Sequence, residues 1–379
     1  MGTAGADADA EDKAHKNPFR RVPVDKPPFT LSQLKKAIPP HCFHRSILTS
    51  FSYLLHDLFI SALLLLLAIY FIPSISFTPL RITVWLLYWS LQASFLGGLW
   101  VIAHECGHHA FSDYSIIDDI VGFVLHSFLM VPYFSFKYSH RQHHSNIASL
   151  DDDNSFVPKP KSKLLRFAKY FNNPIGTVLI LLYYIPFGWF LYLLFSIITP
   201  YSGFICHFDP FSPIFSAGQR VYVLISDAGI LSVCFLLYHL ATCFSVSSVM
   251  TIYAGPLFIL NAAFVVVTYL HHTHPALPHY DSDEWDWLRG SLSTVDRDYG
   301  VLNKVLHNIT DTHVVHHLFS TIPHYHAVEA THAIKPLLGD YYRYDGTPIL
   351  SALWREFRHC FFVQPEYSRP GVYWFTNKL

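Results

Sequence analysis

Residues 84–103 read VWLLYWSLQASFLGGLWVIA and run directly into HECGHH at residues 104–109. The first stretch carries no charged side chain and has the roughly 20 apolar residues that a membrane-spanning helix needs. The second stretch brings three histidines to the end of that helix. The sequence therefore predicts a membrane helix that ends in metal-ligand side chains.

Histidine is unusually frequent, with 25 residues against 26 for lysine and arginine together. Three clusters stand out: HECGHH at 104–109, HRQHH at 140–144 and HVVHH at 313–317. On a helix, positions i, i+3 and i+4 fall within about 100° of one another. The histidines of the second cluster can therefore face one cavity, and so can those of the third.

In the first cluster, His109 would lie about 140° from His104 on a continuous helix, so one ion cannot easily hold all three histidines. We therefore predict two metal ions that share the clusters. Imidazole suits zinc, copper, iron and nickel, and iron is favoured because a nitrogen site at the membrane face suits O2 chemistry on an apolar substrate. His272, at the end of the last apolar stretch, is expected as a further ligand. The predicted ligands are His104, His108, His109, His140, His143, His144, His272, His313, His316 and His317.

Four further stretches are apolar enough to be candidate spans, at residues 55–72, 175–199, 221–242 and 246–270. Basic residues flank the first of them and fill the loop after residue 136, which assigns both flanks to the cytosol. Since the clusters must meet on one side, one of the last three stretches should not cross. We expect this to be 175–199, as a re-entrant or interfacial segment, because it contains Pro186 and Gly188.

The stretch at 116–132 is expected to be an interfacial helix on the cytosolic side, since it carries acidic residues at its start. The predicted fold is thus an all-α integral membrane protein. It has about four transmembrane helices, interfacial helices and a cytosolic cap that holds the histidine clusters, or histidine boxes.

Residues 1–28 are polar and are predicted to be a disordered cytosolic tail. Residues 29–379 are predicted to form a single membrane-bound domain. Thr30 and Gln33 resemble a capping box that opens a short helix.

Composition excludes several classes of protein. The chain is 51% hydrophobic and 14% charged, where a soluble domain is about 25% charged. A net charge of −1 provides no field for nucleic acid. The six cysteines form no CxxC pair, which argues against a disulfide framework and a thiolate zinc site.

Two other functions use the same residues. HECGH matches the zinc protease pattern, in which Glu105 would be the general base on a zinc-bound water. That interpretation leaves His109 and both other clusters unexplained. A histidine-rich metal transporter would place ionisable residues inside the spans, whereas these clusters lie at the ends of the spans and in the cytosolic loops. Metal analysis distinguishes the three functions. The site for O2 chemistry should hold two irons, the protease one zinc, and the transporter labile, exchangeable metal.

The chain resembles the membrane-bound fatty acid desaturases, and among them the plant microsomal oleate Δ12-desaturases and their divergent relatives. The resemblance covers about residues 27–379. The matching segments are PPFTL at 27–31, AIPPHCF at 37–43, HECGHHAFSDY at 104–114, YDSDEWDWLRG at 280–290 and NITDTHVVHHLF at 308–319.

This resemblance implies a non-heme di-iron site held by the histidine boxes, with O2 as co-substrate. The implied reaction removes two hydrogens from an acyl chain, with electrons from NADH through cytochrome b5 reductase and cytochrome b5. The implied substrate is an oleoyl or linoleoyl group on phosphatidylcholine in membrane lipid. Homo-oligomers or hetero-oligomers with other desaturases are a further expectation.

Several positions depart from the usual pattern of that subgroup. Val315 stands in the third box where alanine is usual, His271 where glutamine is usual, and Gln142 where arginine is usual. Such changes accompany relatives that make triple bonds, epoxides, hydroxyls or conjugated double bonds. Acetylenase activity is thus an added expectation, and a hydroxylase, epoxygenase or conjugase is the alternative. Val315 and His271 are the candidates for controlling the product.

The last five residues, FTNKL, resemble the aromatic endoplasmic reticulum (ER) retrieval signal of the family. Its elements would be Phe375, Lys378 and Leu379. The expected location is the ER membrane, multi-pass, with the active site and both termini in the cytosol.

Overall fold

The computed structural model describes residues 17–164, 167–195 and 205–378, and within them the chain is mostly helical. The helices are α1 Leu31–Ala37, α2 Ile47–Phe71, α3 Thr78–Gly107, α4 Ser115–Phe128, α5 Tyr133–Asn146, α6 Pro174–Phe195, α7 Arg220–Phe244, α8 Val246–His272, α9 Trp287–Ser291, α10 Val301–Val305, α11 His313–Leu318, α12 His324–Leu338 and α13 Ile349–His359. The strands are β1 Pro278–Tyr280, β2 Asp296–Arg297, β3 Tyr344–Asp345, β4 Phe362–Glu366 and β5 Arg369–Thr376. The predicted all-α membrane class is confirmed, with small sheets confined to the C-terminal cap.

Five of the described helices are long and apolar enough to cross a membrane: α2, α3, α6, α7 and α8. Helices α2 and α3 pack against each other as the predicted hairpin. Helix α3 has 30 residues and continues through His104 to Gly107. The first histidine cluster therefore begins in the last turn of this candidate spanning helix, and His108 and His109 follow directly after its end.

Helix α6 is the fifth candidate and covers the stretch that was expected not to cross. It is a continuous 22-residue helix with Pro186 inside it, and residues 196–199 lie outside the described chain. That this stretch does not cross the membrane, as a re-entrant or interfacial segment, stays a prediction. Just before the helix, Asn172 Nδ2 donates to the carbonyl of Asn377 at 2.6 Å. Near its end, the Tyr192 hydroxyl lies 3.4 Å from that of Ser139 on α5. Both ends thus contact parts of the cap.

A sharp bend of 107° separates α4 from α5. Helix α4 begins at residue 115 and ends at Phe128, close to the predicted interfacial segment. Met130 follows with a positive φ of 58°, which no helix can continue, and Pro132 caps the next helix. This bend points the second histidine cluster back toward the end of α3.

Strand β5 is the centre of the three-stranded cap sheet, in the order β1-β5-β4, and β2 pairs with β3. Arg297 on β2 is fully buried and donates to Asp345 and Glu356, each at 2.6 Å. Breaking such a buried pair leaves an uncompensated charge and costs about 3–5 kcal/mol. These ion pairs tie the small sheet to α13 beneath the histidine clusters.

The N-terminal segment is ordered further back than predicted. Val22 is buried against Leu277 and Val295, and its N–H donates to the carbonyl of Ala276 at 3.1 Å. Residues 17–28 are thus packed on the cap, and the predicted tail boundary at 28 is not observed; residues 1–16 lie outside the described chain. The predicted capping box of Thr30 and Gln33 opens α1.

Candidate metal centre

The first two histidine clusters meet at one point, together with one histidine of the third. Nε2 of His104 lies 2.7 Å from Nε2 of His140 and 3.2 Å from Nε2 of His108. Nε2 of His144 lies 3.0 Å from Nε2 of His140, and the His316 ring centre is 4.7 Å from that of His144. The ligand atoms of these five residues all lie within 4.8 Å of one another. We call them the first histidine group.

A second histidine group lies beside the first. Nitrogen atoms of His143, His272 and His317 lie within 4.8 Å of one another. His313 joins them, because its Nε2 is 3.2 Å from Nε2 of both His272 and His317. The stacked rings of His144 and His317, with centres 4.1 Å apart, connect the two groups. We define the second group as these four residues: His143, His272, His313 and His317.

Both groups have donor spacing that suits a metal ion. Two imidazole nitrogens bound about 2.1 Å from one ion lie roughly 3 Å apart, and the observed separations are 2.7–3.2 Å. Nε2 of His143 and of His316 is buried without a hydrogen-bond partner in the described chain. A buried polar atom without a partner is costly, and a bound cation would satisfy it. The nine rings can therefore hold two metal ions.

Protonation favours the same conclusion. Burial lowers the pKa of His313, His316 and His317 well below the usual value, and neighbouring histidines lower it further. The lowered pKa values favour the neutral form of these three rings. Neutral imidazole is the form that binds metal.

Asp153 orients one ligand of the second group. Its Oδ1 lies 2.8 Å from Nδ1 of His143, and it also accepts from the backbone N–H groups of Ala148 and Ser155 at 3.2 and 3.0 Å. Burial raises the pKa of Asp153, while the contact with His143 opposes that rise. A carboxylate on Nδ1 leaves Nε2 free for the metal. The sequence places Asp153 near the second cluster but does not distinguish it from its two acidic neighbours.

Glu105 does not point into either group. Its Oε2 accepts the backbone N–H of His324 at 3.1 Å, and its Oε1 is 3.9 Å from Nδ1 of His316. The carboxylate therefore connects α3 to the third cluster and to α12. This arrangement argues against the protease interpretation, in which Glu105 would face a metal-bound water.

His109 is the predicted ligand that the structure brings into neither group. Helix α3 ends at Gly107, and His109 has a positive φ of 58°. Its Nδ1 lies 3.2 Å from Oδ2 of Asp118, and its side chain is 30% exposed. Asp118 in turn accepts from the hydroxyl of Ser112 at 2.6 Å. The ring thus belongs to a polar cluster at the start of α4.

The two candidate product-controlling residues lie directly behind ligands. Val315 is 1% exposed and packs in a core with Leu34, Cys42 and Ile334, on the side of α11 away from the metal groups. His271 is fully buried, and its ring centre is 4.3 Å from that of His313. Its Nδ1 lies 2.6 Å from the carbonyl of Val295. Both residues thus lie beside the histidines of the third cluster and outside the two histidine groups.

An apolar cavity opens onto both histidine groups. Helices α3, α5, α6 and α8 provide most of its wall, and the rings of five histidines form its polar end. Its wall includes Trp100, Val101, Phe136, Phe156, Tyr184, Gly188, Trp189, Tyr192, Phe264, Val265, Thr268 and Ile309, with His104, His140, His143, His272 and His313 at the metal end. An apolar chain that enters this cavity would lie beside these five histidines. No local pattern in the sequence identifies the wall, because its residues come from four separate helices.

The C-terminal residues form part of the cap. Phe375 lies in β5, is 9% exposed, and its ring packs edge-on against His279 at 4.9 Å. Lys378 is exposed, and Leu379 lies outside the described residues. The aromatic element of the predicted retrieval signal is therefore covered in this structure.

Comparison with known proteins gives consistent matches. The family model described as fatty acid desaturase matches residues 82–348. The delta(12)-acyl-lipid-desaturase of Punica granatum is 57% identical, over 97% of this chain and 96% of its own length. The omega-6 fatty acid desaturase, endoplasmic reticulum isozyme 2, of Glycine max is 56% identical, over 98% and 97%. The oleoyl-12-hydroxylase of Ricinus communis is 57% identical, over 95% and 94%.

Proposed function

The chain belongs to the fatty acid desaturase family, and on that basis we propose that it is a Δ12-type acyl-lipid desaturase acting on oleoyl or linoleoyl chains of phospholipid. The observation that carries the proposal is the apolar cavity whose polar end is formed by ligands of both histidine groups. An acyl chain in that cavity would bring two adjacent methylene groups beside the metal ligands.

The proposed reaction converts –CH2–CH2– to –CH=CH– while O2, two electrons and two protons form two molecules of water. Two iron ions, held by the two histidine groups, would supply the O2-dependent oxidising chemistry. The protein's own part is to bind and orient. The aromatic and aliphatic wall excludes water and aligns the chain, and Asp153 holds the ring of His143.

Electrons are proposed to come from cytochrome b5, reduced by its NADH-dependent reductase. The ER membrane is the proposed location, supported by the name of the Glycine max relative. Assembly with a second copy or with another desaturase stays a prediction.

We further propose four crossings, with α6 at the interface and both termini and the metal centre in the cytosol. The contacts of both ends of α6 with the cap support this topology. A glycosylation acceptor introduced near Lys163 should remain unmodified, and its modification would contradict the proposed topology. An acceptor in the loop between α2 and α3, at residues 73–76, is the positive control because that loop should face the lumen.

Expression in yeast, with oleate or linoleate supplied and fatty acids identified by mass spectrometry, tests the activity. The expected result is a new double bond at Δ12 of oleate, with a triple bond as the additional product if linoleate is used. The second candidate is hydroxylation, since the Ricinus communis oleoyl-12-hydroxylase matches this chain as well as the desaturases do. A hydroxylated product without a diene would favour that candidate.

A further inference from the structure

A separate set of ligand-type side chains lies where the N-terminal segment meets α12. It consists of His41, Cys42, His326 and Glu329, which we call the clasp cluster. Their potential ligand atoms all lie within 4.8 Å of one another. None of these residues belongs to either histidine group, and neither the proposed reaction nor its substrate cavity uses them.

Two short, well-defined elements position the clasp cluster. His41 and Cys42 are consecutive residues of a 3-10 turn, Pro40–Phe43, whose start is fixed by Pro39 and Pro40. His326 and Glu329 are three residues apart on α12, so they share one face of that helix. The four donors are therefore brought together by backbone that is already ordered.

The side chains already contact one another. Nε2 of His41 is 2.8 Å from Oε2 of Glu329, and the rings of His41 and His326 have centres 5.3 Å apart. The sulfur of Cys42 lies within 4.8 Å of a carboxylate oxygen of Glu329, and the Cys42 side chain is fully buried. The side chains of His41 and Glu329 are 57% and 50% exposed. An ion can thus enter from solvent and meet the sulfur on the inner side.

We propose that the clasp cluster binds one zinc ion, through two imidazoles, one thiolate and one carboxylate. Zinc binds these three donor types and prefers four ligands in a tetrahedron. Magnesium and calcium prefer oxygen ligands, so a set with sulfur and two nitrogens disfavours them. Binding converts Cys–SH to a zinc-bound thiolate and releases one proton to solvent.

The ion would join two parts of the cap that lie far apart in sequence. Cys42 packs in the same core as Val314 and Val315 of the third histidine cluster. Helix α12 also donates its first backbone N–H, from His324, to Glu105 beside His316. Zinc at the clasp would therefore fix the segment and the helix that lie directly behind the first histidine group.

Cobalt(II) is the probe that distinguishes the clasp cluster from the metal centre. The described ligands of the metal centre are all nitrogens, so a sulfur-to-cobalt charge-transfer band would come from a cysteine site and not from the metal centre. Cys234 and Cys243 are exposed thiols, so the Cys42→Ser variant decides whether the band belongs to the clasp cluster. Titrating Co²⁺ into the iron-loaded, full-length protein in nanodiscs should produce that band, and added Zn²⁺ should remove it. Absence of the band in the wild type overturns the proposal.

Variants locate the site. Cys42→Ser should abolish the band, while Cys360→Ser, which alters another buried cysteine, should retain it. Since Cys42 is buried and its replacement can impair folding, His326→Asn is the second variant. It should weaken zinc binding at least about tenfold, as expected for loss of a direct ligand, and His332→Asn on the exposed side of the same helix should not. An unchanged zinc affinity in His326→Asn would contradict the ligand set.

Thermal stability provides a readout that does not depend on desaturation. Zinc should raise the unfolding temperature of the wild type and of His332→Asn, because an ion that binds only the folded state stabilises it. It should not raise that of His326→Asn. Failure of these zinc experiments would leave the proposed desaturase activity intact. Failure of the desaturase assay would likewise leave the zinc proposal intact.

Discussion

Asp153 and His143 form a buried pair in which a carboxylate oxygen lies 2.8 Å from Nδ1 of the ring. The pair selects the nitrogen that faces the second histidine group. His143 is followed directly by His144 of the first group, so these two consecutive residues contribute one histidine to each group.

Asp153→Asn should reduce metal retention about 10-fold to 100-fold, because the amide holds the ring less firmly and can present the wrong group to Nδ1. The measurement is iron per chain after dialysis against a graded chelator. Asp152→Asn is the matched control, since Asp152 is exposed and adjacent. Equal iron retention in the two variants would remove Asp153 from the set of orienting residues.

His316→Ala and His144→Ala should each abolish turnover while the protein still accumulates in membranes. Both residues belong to the first histidine group, and each substitution removes a nitrogen that the site needs. His109→Gln should keep most of its iron, because His109 contacts Asp118 and lies outside both groups. Iron content and product yield at equal expression check both statements. Loss of iron in His109→Gln as complete as in His316→Ala would return His109 to the ligand set.

Gly188 lines the cavity opposite Val265, and a Cβ at Gly188 would lie 3.1 Å from both methyl carbons of Val265. Gly188→Val should therefore obstruct the cavity and disfavour 18-carbon chains relative to 16-carbon chains. Overpacking costs about 1–3 kcal/mol, and about 1.4 kcal/mol changes a ratio tenfold.

Adding Val265→Ala should restore much of the original chain-length profile in the double variant. Competition between labelled 16-carbon and 18-carbon substrates measures the ratio in which the two chain lengths are converted. Val265→Ala alone is the control. A profile that Gly188→Val leaves unchanged would show that this part of the wall does not contact the substrate.

Val315→Ala combined with His271→Gln should move the products toward plain Δ12 desaturation. Val315 packs behind the third cluster and His271 lies against the ring of His313, so both changes act by shifting ligands. A ligand shift worth about 1.4 kcal/mol between two pathways changes their ratio tenfold. Fatty acid analysis at equal expression measures it, and an identical product ratio would place control of the outcome elsewhere.

Phe375 and Lys378 should behave differently when replaced. Phe375→Ala removes a buried ring from β5 and should lower the total amount of protein, since such truncations cost about 3–5 kcal/mol. Lys378→Ala leaves the core intact and tests retrieval alone. Imaging with an ER marker, together with total protein by immunoblot, separates the two effects. Full ER residence of Lys378→Ala would argue against a retrieval role for this residue.

The spacing of residues in the sequence is enough to place side chains on a common helix where the backbone is regular. His140, His143 and His144 lie on one helix, as the i, i+3, i+4 rule assumes, but their rings divide between the first group (His140 and His144) and the second (His143). The charge-free run before His104 correctly predicts a helix that continues to the site. His109 shows the limit of this rule. The projected angle assumed a helix that in fact ends at Gly107.

Contacts that depend on tertiary packing were not accessible from the sequence. Asp153 reaches His143 because the chain turns back at Ala148, which has a positive φ of 62°. In a run of three consecutive aspartates, nothing local shows which one turns inward. The residues of the cavity wall cannot be identified from the sequence either. Trp100 and Phe264 come from different helices, and in the sequence they look like ordinary apolar residues of membrane spans.

The division of the ligands between the two groups sets an order for assembly during synthesis. Four of the five residues of the first group lie between His104 and His144, so they leave the ribosome early. Three of the four residues of the second group lie at or after His272 and emerge only when most of the chain has been made. A chain that has been made only as far as the end of α7 therefore contains four of the five histidines of the first group but only His143 of the second.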